Sequence, residues 1–194
     1  MSPAKLRSAI VAAASASDVI ALARLVDQAL ALPSLEQSFV DVLEPSLRDV
    51  GDAWAAGDLT VAQEHLASST VRAALQKLLA DARASVRGIA VLACAPDERH
   101  EIGLLMLAVL LRGDGWQVAY LGADTPLRDA IGLADRLGAS ALCFSAAIEK
   151  HAAALAKGLA RERVPPQLEV LVGGRAADGP NAREAVAALR AHAG

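Results

Sequence analysis

Of the four histidines in this chain, His100 has the neighbours that chemistry would need. It stands in the phrase Ala95-Pro96-Asp97-Glu98-Arg99-His100-Glu101-Ile102-Gly103, with a carboxylate two residues before it. That carboxylate can accept a hydrogen bond from one ring nitrogen and leave the other free to bind a metal. One such ligand does not make a zinc site, which takes three or four protein ligands. A metal that needs a single protein ligand is one already held in a macrocycle. The plainer alternative is an exposed loop histidine. Three more clusters of polar and small residues follow: Gly122-Ala123-Asp124-Thr125-Pro126, Ser145-Ala146-Ala147 and Gly173-Gly174-Arg175. The paired glycines remove side chains where something large must approach the backbone. The chain has no Ser-His-Asp arrangement, no phosphate-binding Gly-x-Gly-x-x-Gly and no zinc spacing, so it reads as a binding protein and not an enzyme.

A second constellation lies in the first half, where nine residues separate Trp54 from Glu64-His65. At 100° per residue Glu64 shares a helical stripe with Ser68, Val71, Leu75 and Leu78, within about 40°. A carboxylate on a buried stripe costs several kcal/mol unless it is paired. Either the helix end splays so that Glu64 reaches water, or Glu64 and His65 face a ligand at the open end of a bundle with Trp54 as a flat lid. Aromatics are only 3% of the chain and there are two tryptophans, so each needs a reason. Trp116 reads as an apolar anchor at the start of a strand.

The elements that must carry these residues fall into two kinds. From Ser2 to about Ala84 the pattern is helical and rich in alanine and leucine, both strong helix formers. Breaks at Ser15-Ala16-Ser17-Asp18, Leu32-Pro33-Ser34 and Ala56-Gly57-Asp58 divide it into helices over about 3–14, 18–31, 34–56 and 60–83. Short connections make this a four-helix bundle. The character changes at Val86-Arg87-Gly88. Four short apolar runs, Gly88–Cys94, Gln117–Leu121, Ala141–Ser145 and Leu168–Val172, read as buried parallel strands. Helical segments over about 101–113, 127–138, 148–162 and 181–192 lie between and after them. Strict alternation predicts a doubly wound, Rossmann-like (flavodoxin-like) parallel sheet, with all strand C-termini at one edge. The expected domains are 1–85, the bundle, and 86–194, the sheet, and all four polar clusters fall on that sheet's ligand-binding edge.

Charge and composition exclude several classes of function. Residues 1–85 carry 7 Lys/Arg against 10 Asp/Glu, and residues 86–194 carry 12 against 12, so neither half offers a basic surface for DNA. The apolar runs are shorter than the roughly 18 residues of a membrane span, and the N-terminus lacks the apolar core of a secretory signal. Cys94 and Cys143 lie in apolar runs and read as reduced, buried thiols of a cytoplasmic protein.

The second half resembles the cobalamin-binding domain of methionine synthase, corrinoid proteins and B12-dependent regulators. That family's motif is Asp-x-His-x-x-Gly, Ser-x-Leu and Gly-Gly at long fixed spacings. Here it reads Glu98-Arg99-His100-Glu101-Ile102-Gly103, then Ser145-Ala146-Ala147 after 41 residues and Gly173-Gly174 after 25 more. Glu98 stands in place of the family's Asp, giving a longer arm, and Ala147 in place of Leu. The resemblance implies that His100 is the lower axial ligand of cobalt, displacing the cofactor's own dimethylbenzimidazole. It also implies a channel for that base lined by Gly103, Ser145 and Gly173.

The string Trp54, nine residues, Glu64-His65 looks like the light-sensing domain of the CarH/LitR-type B12-dependent photoreceptor regulators, as do Glu98–Leu104 and Leu121–Pro126. This resemblance implies adenosylcobalamin (or methylcobalamin) as cofactor, Trp54 over its upper face, and Glu64 and His65 against the adenosyl group. It further implies photolysis of the cobalt–carbon bond, read out through a homo-oligomer or a separate regulator protein. Those regulators carry a MerR-type DNA-binding domain, whereas this chain begins at the bundle, so it is not expected to bind DNA directly. Ala55 stands where members have a histidine that binds cobalt after photolysis, and His65 is the nearest substitute. The alternative within the wider family is the corrinoid methyl carrier of a methyltransferase system, which gives Trp54, Glu64 and His65 no role.

Overall fold

The computed structural model describes residues 1–80, 87–177, 179 and 182–192. The chain divides into two compact units, Met1–Leu78 and Leu79–Gly194.

The first unit is all helical, and its breaks are made by local capping. Ser2 starts α1 (Pro3–Ser15) by accepting from the Lys5 amide, and Asp18 starts α2 (Val19–Leu30) by accepting from Ala21 at 2.9 Å. Ser34 does the same for α3 (Leu35–Ser38), accepting from Gln37 at 3.1 Å. The chain then continues without a break through a π-helical stretch, Phe39–Leu43, into α4 (Glu44–Ala56). The sequence pattern predicts one regular helix over 34–56, and the wider turn has a physical cause. Pro45 has no N–H and its ring collides with the carbonyl four residues back, so the helix widens just upstream and Glu44 N–H reaches Phe39 O instead. Gly57 ends α4 in the left-handed conformation with φ 85°. After a four-residue turn α5 (Val61–Ala80) follows. The predicted extension of this helix to residue 83 and the change of pattern at Val86 lie outside the described residues. Leu6, Ile10, Leu22, Phe39, Val42, Val71 and Leu75 are among the buried side chains of this unit.

The second unit is a parallel sheet with helices on both faces. Its elements are β1 (Ile89–Cys94), α6 (Ile102–Gly113), β2 (Gln117–Gly122), α7 (Leu127–Leu137), β3 (Ala141–Ser145), α8 (Glu149–Leu159), β4 (Glu169–Gly173) and α9 (Ala182–His192). The strand order is β2-β1-β3-β4, all parallel. The doubly wound α/β fold expected from the alternation of apolar runs and helical segments is therefore present, preceded by an all-helical part. Helix α8 stops at Leu159, short of the predicted 162, where Arg161 and Glu162 turn their amides back onto Gly158 O ahead of Pro165-Pro166. The predicted start of the last helix at Asn181 lies outside the described residues.

Alternate side chains of the central strands feed two cores. Ala90, Leu92, Cys94, Ala141 and Cys143 meet Leu104, Leu107 and Leu111 of α6 and Ala185 and Leu189 of α9, with Trp116 in the same cluster. Val91, Ala93, Leu142 and Phe144 meet Ala130, Ile131 and Ala134 of α7 and Leu155 of α8. Trp116 is 1% exposed, which fits its reading as an anchor at the start of β2. Both cysteines are free and buried, and burial pushes each thiol up to about 12. The connections leave β1 and β3 in opposite directions along the sheet, so their C-terminal loops form the crevice at the switch point. Among the described residues no helix is long and apolar enough to cross a membrane.

Candidate functional site

The loop after β1 is held on both sides. Ala95 N–H donates to Ser145 O of β3 at 2.9 Å, and Asp97 N–H donates to Asp124 Oδ1 in the loop after β2 at 2.8 Å. Asp124 N–H returns a 2.8 Å bond to Glu98 O. Asp97 and Asp124 sit at φ 65° and 49°, in the left-handed region that aspartate tolerates better than most residues.

This clamp presents Glu98, which is fully buried, across the switch point. Its Oε1 accepts from the His100 amide at 3.0 Å and lies 2.6 Å from His100 Nδ1. Its Oε2 accepts from the amides of Ala147 at 2.8 Å and Ile148 at 3.1 Å, and lies 3.1 Å from His151 Nδ1. Burial by itself raises this carboxyl's pKa. The bonds from His100, His151 and Ala147 outweigh that and bring it down to about 2. An ionised carboxylate only accepts, so both neighbouring imidazoles carry their proton on Nδ1. In the neutral ring this leaves the His100 Nε2 lone pair free, on a side chain that is 67% exposed. A free, oriented imidazole nitrogen of this kind can ligate a metal.

The remaining positions surround this centre unevenly. Arg99 is exposed, Ile102 opens α6 half-buried, and Glu101 Oε2 accepts from Tyr120 Oη at 3.0 Å. A Cβ placed on Gly103 would meet nothing within 4 Å, so the first turn of α6 borders open space. Ser145 is buried and pairs in register with Gly173 across β3 and β4, and Ala147 is half-buried. Gly174 departs from the sequence-based expectation of room for a large ligand. At φ 107° its Cβ position lies 2.5 Å from Ala146 O, so what presses on it is the chain's own backbone.

Trp54, Glu64 and His65 belong to the helical unit, Trp54 in the last turn of α4 and the other two in the first turn of α5. Trp54 is 48% exposed and His65 70% exposed, and His65 Nε2 lies 3.5 Å from Glu64 Oε2. Glu64 keeps 28% exposure while Val71 and Leu75 on its stripe are buried, so water reaches it. Sequence reasoning missed His151, Tyr120 and the clamp role of Asp124. No local pattern announces them, because His151 meets Glu98 from 53 positions along the chain.

A planar macrocycle with one vacant metal position fits what is present: an exposed imidazole oriented through Nδ1, open space at Gly103 and small residues at the ends of β3 and β4. Comparison with known proteins agrees. Residues 88–190 match a family model described as a B12 binding domain, and residues 6–79 match a second model of the same description. The chain belongs to the B12-binding domain family.

Within that family its similarities are of two kinds. Over 174 residues it is 42% identical to the HTH-type transcriptional repressor CarH of Myxococcus xanthus, covering 88% of this chain and 58% of that protein. It is 41% identical over 106 residues to the repressor CarA of the same organism, covering 53% of this chain and 34% of that one. The B12-binding chain thus spans between a third and three fifths of the length of these curated relatives. In structure it is similar to the monomethylamine corrinoid protein of Methanosarcina barkeri, with a TM-score of 0.73 over 96% of each chain at 23% identity. That likeness concerns the fold.

Proposed function

We propose that this B12-binding chain is a light-sensing regulatory module that holds adenosylcobalamin with the cofactor's own base displaced and His100 as the lower cobalt ligand. The Glu98–His100 pair carries the reading, because it leaves an exposed, oriented Nε2 lone pair at the sheet's switch point. Similarity to CarH over 88% of the chain supports the regulatory part. When bound, adenosylcobalamin supplies a cobalt–carbon bond that light breaks.

The chain's own residues do the rest. Glu98 accepts a charge-assisted hydrogen bond from His100 Nδ1–H and fixes the ring. Gly103, Ser145 and Gly173 keep the walls small for a nucleotide tail. In the helical unit, exposed Trp54 would supply an apolar face and Glu64 and His65 would supply hydrogen bonds for an adenosyl group. The readout would be a shift in the chain's conformation, or in its association with itself or with a separate regulator.

The deciding experiment loads the protein with adenosylcobalamin in the dark and records absorbance and size before and after green illumination. Both should change. Loaded protein inert in both respects refutes the light-sensing reading. If, in addition, Trp54→Ala retains the adenosyl form fully and a methyl group cycles on the bound cofactor with a partner enzyme, the chain is a corrinoid methyl carrier. His100→Ala should weaken cobalamin binding and remove the base-off spectrum.

A further inference from the structure

One side chain that the functional reading leaves out ties up the turn between α4 and α5. Gln63 stands in the first turn of α5, immediately before Glu64 and His65. Its Oε1 accepts from the Thr60 amide at 2.8 Å and from the Thr60 hydroxyl at 2.9 Å, and its own amide donates to Thr60 Oγ1 at 3.3 Å. This is a capping box, and it closes the start of the helix locally. Gln63 also makes a bond that a capping box does not need. Its Nε2 donates to the carbonyl of Ser15 at 2.6 Å, 48 positions away at the end of α1. The last carbonyl of a helix has no partner within that helix.

The turn is fixed to α4 as well. Gly57 N–H donates to Trp54 O at 3.0 Å and Leu59 N–H to Ala53 O at 3.2 Å, and the Leu59 side chain is buried. The end of α4, the turn and the start of α5 thus form one hydrogen-bonded piece that carries Trp54, Glu64 and His65. Gln63 Nε2 bonds this piece to α1. Glu64 and His65 constrain each other little, with His65 exposed and 3.5 Å between Nε2 and Oε2, so their aim follows from the backbone beneath them. We propose that Gln63 is a positioning residue for Glu64 and His65, anchoring the start of α5 to the end of α1 so that both meet an adenosyl group from a fixed backbone. This rests on the reading of those two residues as adenosyl contacts.

Glutamine suits both tasks because one end of its amide accepts and the other donates. Glutamate would keep the capping box and is favoured in the first turn of a helix, but its second oxygen would face the Ser15 carbonyl. Gln63→Glu therefore keeps the local helix start and removes the anchor, whereas Gln63→Met removes both and adds no charge. The experiment titrates the full chain in the dark with adenosylcobalamin and with methylcobalamin. Misaligning two ordinary hydrogen bonds is worth about tenfold in affinity. Adenosylcobalamin binding should fall about tenfold in both variants, while methylcobalamin, with no adenosyl group to contact, should change less than about threefold. In the cofactor-free protein the Glu64 and His65 amides should exchange with solvent faster in Gln63→Glu than in the original. If Gln63→Glu keeps the original ratio of the two affinities, or weakens both cofactors alike, the positioning role is overturned. A loss in Gln63→Glu that Gln63→Met does not share is an effect of charge and overturns it too. If Glu64→Ala also leaves the ratio unchanged, the adenosyl contacts themselves fall and take this proposal with them. That outcome is distinct from one in which Glu64→Ala lowers the ratio while Gln63→Glu does not.

Discussion

Replacing Glu98 by glutamine tests the centre of the site with one atom exchanged. The carboxyl falls from an ordinary 4.5 to about 2 in the folded chain, so its ionised form contributes about 3 kcal/mol to stability at neutral pH. The folded value lies below the unfolded one. The contribution is therefore complete above the unfolded value and is lost as pH falls toward about 2, with about 2 kcal/mol gone between pH 7 and pH 3. In Glu98→Gln the amide NH2 must face donors whichever way it turns. On the Oε2 side it would oppose two backbone amides and a buried imidazole, so it turns to His100. There it leaves the His100 amide unpaired and reverses the ring, making Nδ1 the acceptor and placing the proton on Nε2. The expected cost is about 3 kcal/mol at pH 7, shrinking to about 1 kcal/mol at pH 3, together with loss of cobalamin binding. Urea unfolding followed by Trp116 fluorescence in a Trp54→Phe background reads this directly, because Trp116 is buried in the sheet unit's core. At roughly 1–3 kcal/mol per molar urea, the pH 7 midpoint should fall by about 1–3 M. A loss below about 1 kcal/mol at pH 7, or a difference that does not narrow at pH 3, refutes the argument that the carboxylate is held ionised by its donors.

Gly174→Ala should destabilise the sheet unit by about 2–4 kcal/mol in thermal or urea unfolding, since φ is 107° and the added Cβ would fall 2.5 Å from Ala146 O; a change under 1 kcal/mol would contradict the close approach. Gly103→Ala makes the opposite prediction. With nothing within 4 Å of its Cβ position it should leave stability unchanged or raise it by about 0.5–1 kcal/mol, yet weaken cobalamin binding measured by titration; unchanged affinity would remove Gly103 from the cofactor channel. Cys94 and Cys143, with thiols pushed up to about 12 by burial, should resist iodoacetamide at pH 8 until the protein is unfolded, and rapid alkylation of the native protein would refute their burial.

Sequence by itself determined the order and type of the elements, because their causes are local. Ser2, Asp18 and Ser34 cap helices within three residues of themselves, and Gly57 ends one. The apolar runs that became β1 to β4 are continuous because both faces of a parallel sheet are covered. The Glu98–His100 pair was legible for the same reason, two positions apart on one loop. The π-helical stretch before Pro45 was not, since a proline announces a disturbance and only the packed helix decides whether it bends or widens. Tertiary structure also decided what completes the carboxylate's coordination. Ala147, Ile148 and His151 reach Glu98 only because the strand order sets β3 beside β1, and Asp124 reaches Asp97 and Glu98 only because β2 lies on β1's other side. It reassigned Gly174 as well, from room for a ligand to room for Ala146. The Nε2 lone pair that a metal would need is thus foreshadowed by two residues, and its freedom is secured by groups that meet only when the sheet closes around them.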